Sequence, residues 1–271
     1  MEQVTVKVPR GISRKKGEWA RKATIHGLTG FDEQHLAEFE GAPHSRALAL
    51  LERIVRFQSM SQRSLSRLSL GDRAFLLLAA RRIIVGDLIE CTIDCPSCES
   101  TMSADFSIAD LLKQDYPELK ESYSIEACGF NMRIRPLTIA DQEKLSSEHI
   151  DRRSRVQMLA RACITRSRPA LPKDLPEDLL EAVGTRVGEL DPLSNIVLTS
   201  ACPECGGTFH TSFPVEEFIL NELVPTQQLD RDVHWLAFHY HWTEKEILSL
   251  PATRRKKYIE LVNATLEGEG K

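Results

Sequence analysis

Apolar and polar positions alternate along VTVKV (4–8) into RKATIHGL (21–28), and again along YSIEA (123–127) into NMRIRPL (131–137). A period of two is the signature of a half-buried strand, so each stretch predicts a β-hairpin. Thr29-x-x-Asp32 and Thr138-x-x-Asp141 follow, each placing a hydroxyl and an acid where a capping box opens a helix. Beyond them the apolar spacing lengthens to that of a helix, predicting helices over 45–57 and 154–166. Further helices are predicted over 70–85 and 176–189, with the proline-rich stretch 166–179 as a connector. Two strands then flank a Cys-x-x-Cys turn in each region, and a short helix closes it (SIADLLKQ, 107–114; PVEEFILNEL, 214–223).

The order of elements is the same both times, and the residues correspond. ATIHGLTGFDEQHLAE (23–38) lines up with MRIRPLTIADQEKLSS (132–147), and SRALALLERIVRFQS (45–59) with SRVQMLARACITRSR (154–168). CPSCESTMSADFSIADLL (95–112) lines up with CPECGGTFHTSFPVEEFI (202–219), pairing Phe106 with Phe213 and Asp110 with Glu217. The offset is 109 residues early and 107 late. Three matches in one order predict an internal duplication. The expected fold class is α+β with pseudo-twofold character: a first copy over 1–116, a second over 117–225, and a helical module over 226–271.

That module falls outside the repeat. Thr243-x-x-Glu246 reads as a capping box, Pro251 breaks the chain, and a last helix carries Tyr258, Leu261 and Val262. Trp235, Phe238, Tyr240, Trp242 and Tyr258 gather here, and such density serves either a small core or an interface. Trp235, Tyr240, Trp242 and Tyr258 are the candidate partner-binding residues, since the segment has no internal mate. His239 and His241 fall on different helix faces, which argues against a metal reading for the module's histidines.

Charge narrows the function. The chain has 35 Lys and Arg against 39 Asp and Glu, a net charge of −4, and nucleic-acid binders usually carry a basic excess. Arg254-Arg255-Lys256-Lys257 invites a DNA reading, yet from 226 onward seven acids balance seven bases. No apolar run reaches the roughly 18–20 residues of a membrane span, and the start has no apolar signal core. Seven cysteines, an odd number, argue against a secreted disulfide framework and for a reducing cytoplasm. No His-Glu-x-x-His, nucleophile elbow, P-loop or dinucleotide fingerprint is present, and acidic pairs such as Asp32-Glu33 and Glu216-Glu217 sit where helix capping and the helix dipole account for them. The expectation is a protein that is not an enzyme and takes no small-molecule substrate.

The cysteines carry the candidate chemistry. A structural zinc takes four ligands, and each copy supplies two thiols: Cys95 and Cys98, then Cys202 and Cys205. Duplication supplies both pairs within one polypeptide, so one structural zinc per chain is expected. Two other readings compete. A redox Cys-x-x-Cys opens a helix, whereas here Thr, Ser and Gly lead into a strand; and the two turns could be metal-free vestiges. His210 matches Ser103 in the other copy and reads as an exposed strand residue. Cys163 matches Ile54 and Cys91 matches Leu198, so both read as small packing residues, while Cys128 lies in a hairpin turn.

LSLGDRAFLLLAARRIIVGDLIECTIDCPSC, ELDPLSNIVLTSACPECGGTFHTSFPVEEFI and HWTEKEILSLPATRRKKYIELV together resemble the phage T4-type baseplate hub assembly chaperone family. The similarity runs through most of the chain from about residue 23, and its most specific part is Trp242-x-Glu244-x-Glu246-Ile247-Leu248 followed by Arg254-Arg255 and Tyr258. The resemblance implies a role in building, or forming part of, the baseplate hub of a contractile phage tail or phage-like injection particle. Hub, spike or other tail proteins are then the partners, met in the bacterial cytoplasm during assembly or in the particle itself. The alternative is a zinc-ribbon regulatory protein binding nucleic acid. The four-cysteine pattern rests on this sequence, not on the family.

Overall fold

The computed structural model describes residues 3–14, 17–58, 60–146, 151–224 and 226–269, so the aligned positions 59 and 147 lie outside it. Among them the chain forms an α+β fold with four small antiparallel sheets. Strands β1 (Gln3–Ser13), β2 (Trp19–His26) and β3 (Val55–Phe57) make the first sheet, in that order. Helices α1 (Gly30–Glu38) and α2 (Pro43–Ile54) lie between β2 and β3, and α3 (Leu70–Ile84) follows. The hairpin of β4 (Leu88–Asp94) and β5 (Thr101–Ser107) comes next, closed by the single turn α4 (Ile108–Leu111). The same order then recurs: β6 (Tyr123–Ala127), β7 (Phe130–Ile134), α5 (Ile139–Ser146), α6 (Arg152–Cys163), β8 (Ile164–Arg168), α7 (Glu177–Leu190), the hairpin β9 (Val197–Ala201) and β10 (Thr208–Ser212), and α8 (Val215–Leu223). Helices α9 (Thr226–Tyr240), α10 (Glu244–Leu248) and α11 (Ala252–Glu269) end the chain.

All three expected capping boxes form, Thr243 with Glu246 among them, and the first two match in their distances. Asp32 and Asp141 each accept from the backbone N–H of the threonine three residues earlier, at 3.0 and 2.9 Å, and each returns its own N–H to that hydroxyl at 3.3 Å. The helices expected over 45–57 and 154–166 stop early, at Ile54 and Cys163, and the chain turns into β3 and β8. Val55-Arg56-Phe57 also satisfies alternation, and pairing with β2 decides between the two periods; Ile164-Thr165-Arg166 does not alternate, and there pairing with β7, through a bulge, makes the strand. Residues 166–168, read as connector, are therefore strand.

The larger core draws on both the first and the second series of elements. Leu50, Leu51, Leu76, Leu77 and Ile89 from the first are buried with Ile219, Leu220 and Leu223 of α8. A second core under β6–β8 joins Tyr123, Ile134, Cys163, Leu179, Val183 and Leu190. Cys163 is buried as expected; Cys91 is only half-buried. Between the repeats lies a polar knot. Asp72 accepts from the backbone N–H of Arg10 and Gly11 at 2.9 and 2.7 Å, and Asp191 accepts from Ser69 Oγ and the Gly71 N–H at 3.1 and 2.8 Å. A Cβ on Gly71 would come within 2.2 Å of Asp191 Oδ1, so only glycine permits this approach. Burial, with Asp191 as neighbour, raises Asp72 to about 7, and burial raises Asp191 to about 6.

The C-terminal helices are fastened to α1 by a buried ion pair. Arg255 Nη2 donates to Glu33 Oε2 at 2.5 Å and Nε to Asp232 Oδ2 at 3.3 Å, with the arginine 1% exposed. Glu33 lies in the first turn of α1, as expected, and has a further role that its place beside Asp32 does not disclose. It is a buried partner, and burial raises its pKa despite Arg255. The arrangement has a counterpart. Gly30 N–H donates to Leu250 O, and Ile139 N–H donates to Leu68 O, at the openings of α1 and α5. Four residues past each bridging position, Arg255 reaches Glu33 on α1 and Arg73 reaches Gln142 on α5. So the start of α11 is tied to α1 as the start of α3 is tied to α5.

Candidate metal centre

Each Cys-x-x-Cys lies in the tight turn of a hairpin, and the two turns are built alike. Cys95 N–H donates to Ser100 O and Glu99 N–H to Cys95 O; Cys202 N–H donates to Gly207 O and Gly206 N–H to Cys202 O, all at 2.9 Å. The fourth turn residue is left-handed in both, at φ 57° for Glu99 and 71° for Gly206. Glycine takes that conformation freely, while glutamate pays in steric strain.

The two turns face each other. Cys95 Sγ lies 3.7 Å from Cys205 Sγ, and Cys98 Sγ lies 3.6 Å from Cys202 Sγ. All four ligand atoms fall within 4.8 Å of one another. A tetrahedral site with metal–sulfur bonds of about 2.3 Å sets its sulfurs about 3.8 Å apart, whereas a disulfide needs about 2.05 Å. The two short contacts match edges of such a tetrahedron, so the residues fit a thiophilic metal ion such as zinc. Cys95 and Cys202 are buried beside Phe209, with Ile93 and Met102 packed against them, and Cys98 and Cys205 are exposed.

Electrostatics suit a thiolate cluster. The backbone N–H of Ser97, and then that of Cys98, aim at the Cys95 sulfur and hold it down to about 6. Cys98 is pushed the other way, because sulfurs this close share their protons and titrate as a unit. His210 stands apart as an exposed strand residue, its Nδ1 3.0 Å from Thr199 Oγ1. Among the described residues, the four cysteines are the one group of three or more His, Cys, Asp and Glu placed to hold a metal.

Three of the four candidate aromatics come together. Tyr240 stacks on Trp242 at 4.7 Å between centroids, and Tyr258 meets both edge-on, at 5.7 and 4.9 Å. Trp235 is separate, against His239 at 4.6 Å, and lines an open cleft of about 550 Å³ with Ile259. The most exposed large apolar side chain of the module is Phe238, 67% exposed, which the candidate set omitted. Its neighbours in sequence mark it only as one more aromatic; exposure shows in the fold alone. Arg254 is engaged within the chain, its guanidinium 5.6 Å from the Tyr258 ring, and Arg255 is buried. The basic run Arg254-Arg255-Lys256-Lys257 thus presents three of its four charges to solvent.

Fold and site define an α+β protein whose two hairpins meet at a four-cysteine cluster able to hold a metal ion. Over residues 49–168 the chain matches the model of the family described as T4 bacteriophage base plate protein. Comparison with curated proteins and with solved structures gave no match. Among the described residues, no helix is long and apolar enough to cross a membrane.

Proposed function

We propose that the protein is a non-enzymatic assembly factor or component of a contractile-tail baseplate hub, acting through protein–protein contacts. The observation that carries this reading is the baseplate family match over residues 49–168. The chain works in the bacterial cytoplasm during assembly or within the finished phage or phage-like particle. Its C-terminal module contributes partner contacts through Trp235, Tyr240, Trp242 and Tyr258, and the exposed ring of Phe238 supports that role.

Zinc is the metal in this proposal, one per chain, held by Cys95, Cys98, Cys202 and Cys205. Four thiolates would close its shell, leaving no open position for substrate. Bound there, zinc would supply roughly 10–16 kcal/mol of apparent binding energy, enough to fasten the two hairpins against each other. The hairpins descend, in this reading, from one duplicated unit. Support comes from the reciprocal contacts of Cys95 with Cys205 and Cys98 with Cys202, the pattern of a self-complementary pairing.

Co-expression with the neighbouring tail genes, followed by pull-down, tests the function. A hub or spike protein should copurify at a defined ratio. Capture of no tail protein, together with a salt-sensitive shift of duplex DNA at nanomolar concentration, would overturn the reading in favour of a nucleic-acid regulator.

A further inference from the structure

The exposed face of the β6–β7–β8 sheet carries an arrangement that its own chain leaves unfinished. Ser124, Arg133 and Arg166 stand opposite one another across the three strands, and Glu126, Asn131 and Arg168 form the next row. Ile125, Met132 and Ser167 alternate with them toward the core, so the three arginines share the solvent face. Together these rows line a shallow concavity of about 350 Å³. Arg133 and Arg166 are direct cross-strand partners, an opposition of like charges that destabilises a sheet. No described side chain forms an ion pair or hydrogen bond with any of the three guanidinium groups. Charges on an edge strand protect it from pairing with other chains, which accounts for Arg166 and Arg168 on β8. That explanation does not reach Arg133, which lies on the central strand.

We propose that this face docks an acidic segment of a partner protein, with carboxylates received by Arg133, Arg166 and Arg168. All three are arginines, whose planar forks take carboxylates bidentately. A nucleic acid is the poorer occupant. Glu126 shares the concavity, and a net charge of −4 opposes the approach of a long polyanion. The first sheet shows the same opposition of like charges, Lys7 being a direct cross-strand partner of Lys22 with both exposed. The proposal goes beyond the baseplate reading and its test does not depend on it.

The test uses the full chain and fluorescence anisotropy with two labelled probes of equal length, an oligoglutamate peptide and an oligothymidylate. The peptide should bind, and Arg133→Gln/Arg166→Gln/Arg168→Gln should weaken it about tenfold or more, the loss expected for removing charge-assisted hydrogen bonds. The variant's thermal midpoint should be unchanged or higher, because the opposed charges are gone. Should the triple variant fail to fold, Arg166→Glu alone keeps the sheet by giving Arg133 an opposite charge, and must also weaken the peptide. Undetectable peptide binding, equal binding by a folded variant, or tighter binding of the oligothymidylate would each overturn the proposal.

Discussion

Phe106 and Phe213 meet edge to face, with ring centroids 5.2 Å apart and planes at 86°. Phe106 lies at the end of β5 and Phe213 just past the end of β10, so the two cysteine-bearing hairpins meet through a phenylalanine at the same place in each. Edge-to-face pairs contribute about 0.5–1.5 kcal/mol beyond their burial. A double-mutant cycle with Phe106→Leu and Phe213→Leu should therefore return a coupling of about 1 kcal/mol by denaturant unfolding. A coupling near zero would show that the two hairpin ends do not support each other.

Arg255 should matter far more than its neighbour. Arg255→Ala leaves Glu33 and Asp232 buried without their cation, a loss of about 3–5 kcal/mol for a broken buried pair. Arg254→Ala, at an exposed site, should stay within about 0.5 kcal/mol. Urea unfolding of both variants checks the contrast.

Much of this was legible in the chain, and the exceptions have physical causes. The capping boxes, the hairpins and the convergence of four cysteines follow from local pattern plus repetition, which is why sequence alone locates them. The strand β3 was missed because Val55-Arg56-Phe57 fits two periods, and β8 because Ile164-Thr165-Arg166 has no alternation and pairs with β7 through a bulge; only a partner strand decides either. The ion pair of Glu33 was missed because a first-turn acid looks the same whether it faces solvent or a guanidinium 222 residues away. One signal was available: Leu68 and Leu250 each precede an arginine by five residues, Arg73 and Arg255, and both segments bridge a Thr-capped helix.

The knot between the repeats has a pH signature opposite to ordinary acid unfolding. Asp72 and Asp191 are raised to about 7 and about 6, while unfolded aspartate titrates near about 3.9. Between those values the folded state holds more protons than the unfolded one, so their contribution falls as pH rises from about 4 to about 7. Asp72→Asn should remove part of that slope. Unfolding of wild type and variant across this window, both zinc-saturated, isolates the difference; identical slopes would contradict the assignment.

Left-handed backbone at the knuckles makes the two turns unequal. Gly206→Val forces a branched residue to φ 71° and should cost about 1–3 kcal/mol, with weaker zinc retention against a chelator. Glu99→Gly relieves the same conformation and should be tolerated or stabilising, since its φ of 57° is already in glycine's territory.

The central claim is a single zinc shared by the two repeats, and metal analysis of the purified monomer tests it most directly. One zinc per chain is predicted, lost to the same extent in Cys95→Ser and Cys205→Ser and retained in Cys163→Ala. Two zinc ions per chain, one per two chains, or none after growth in zinc would contradict it.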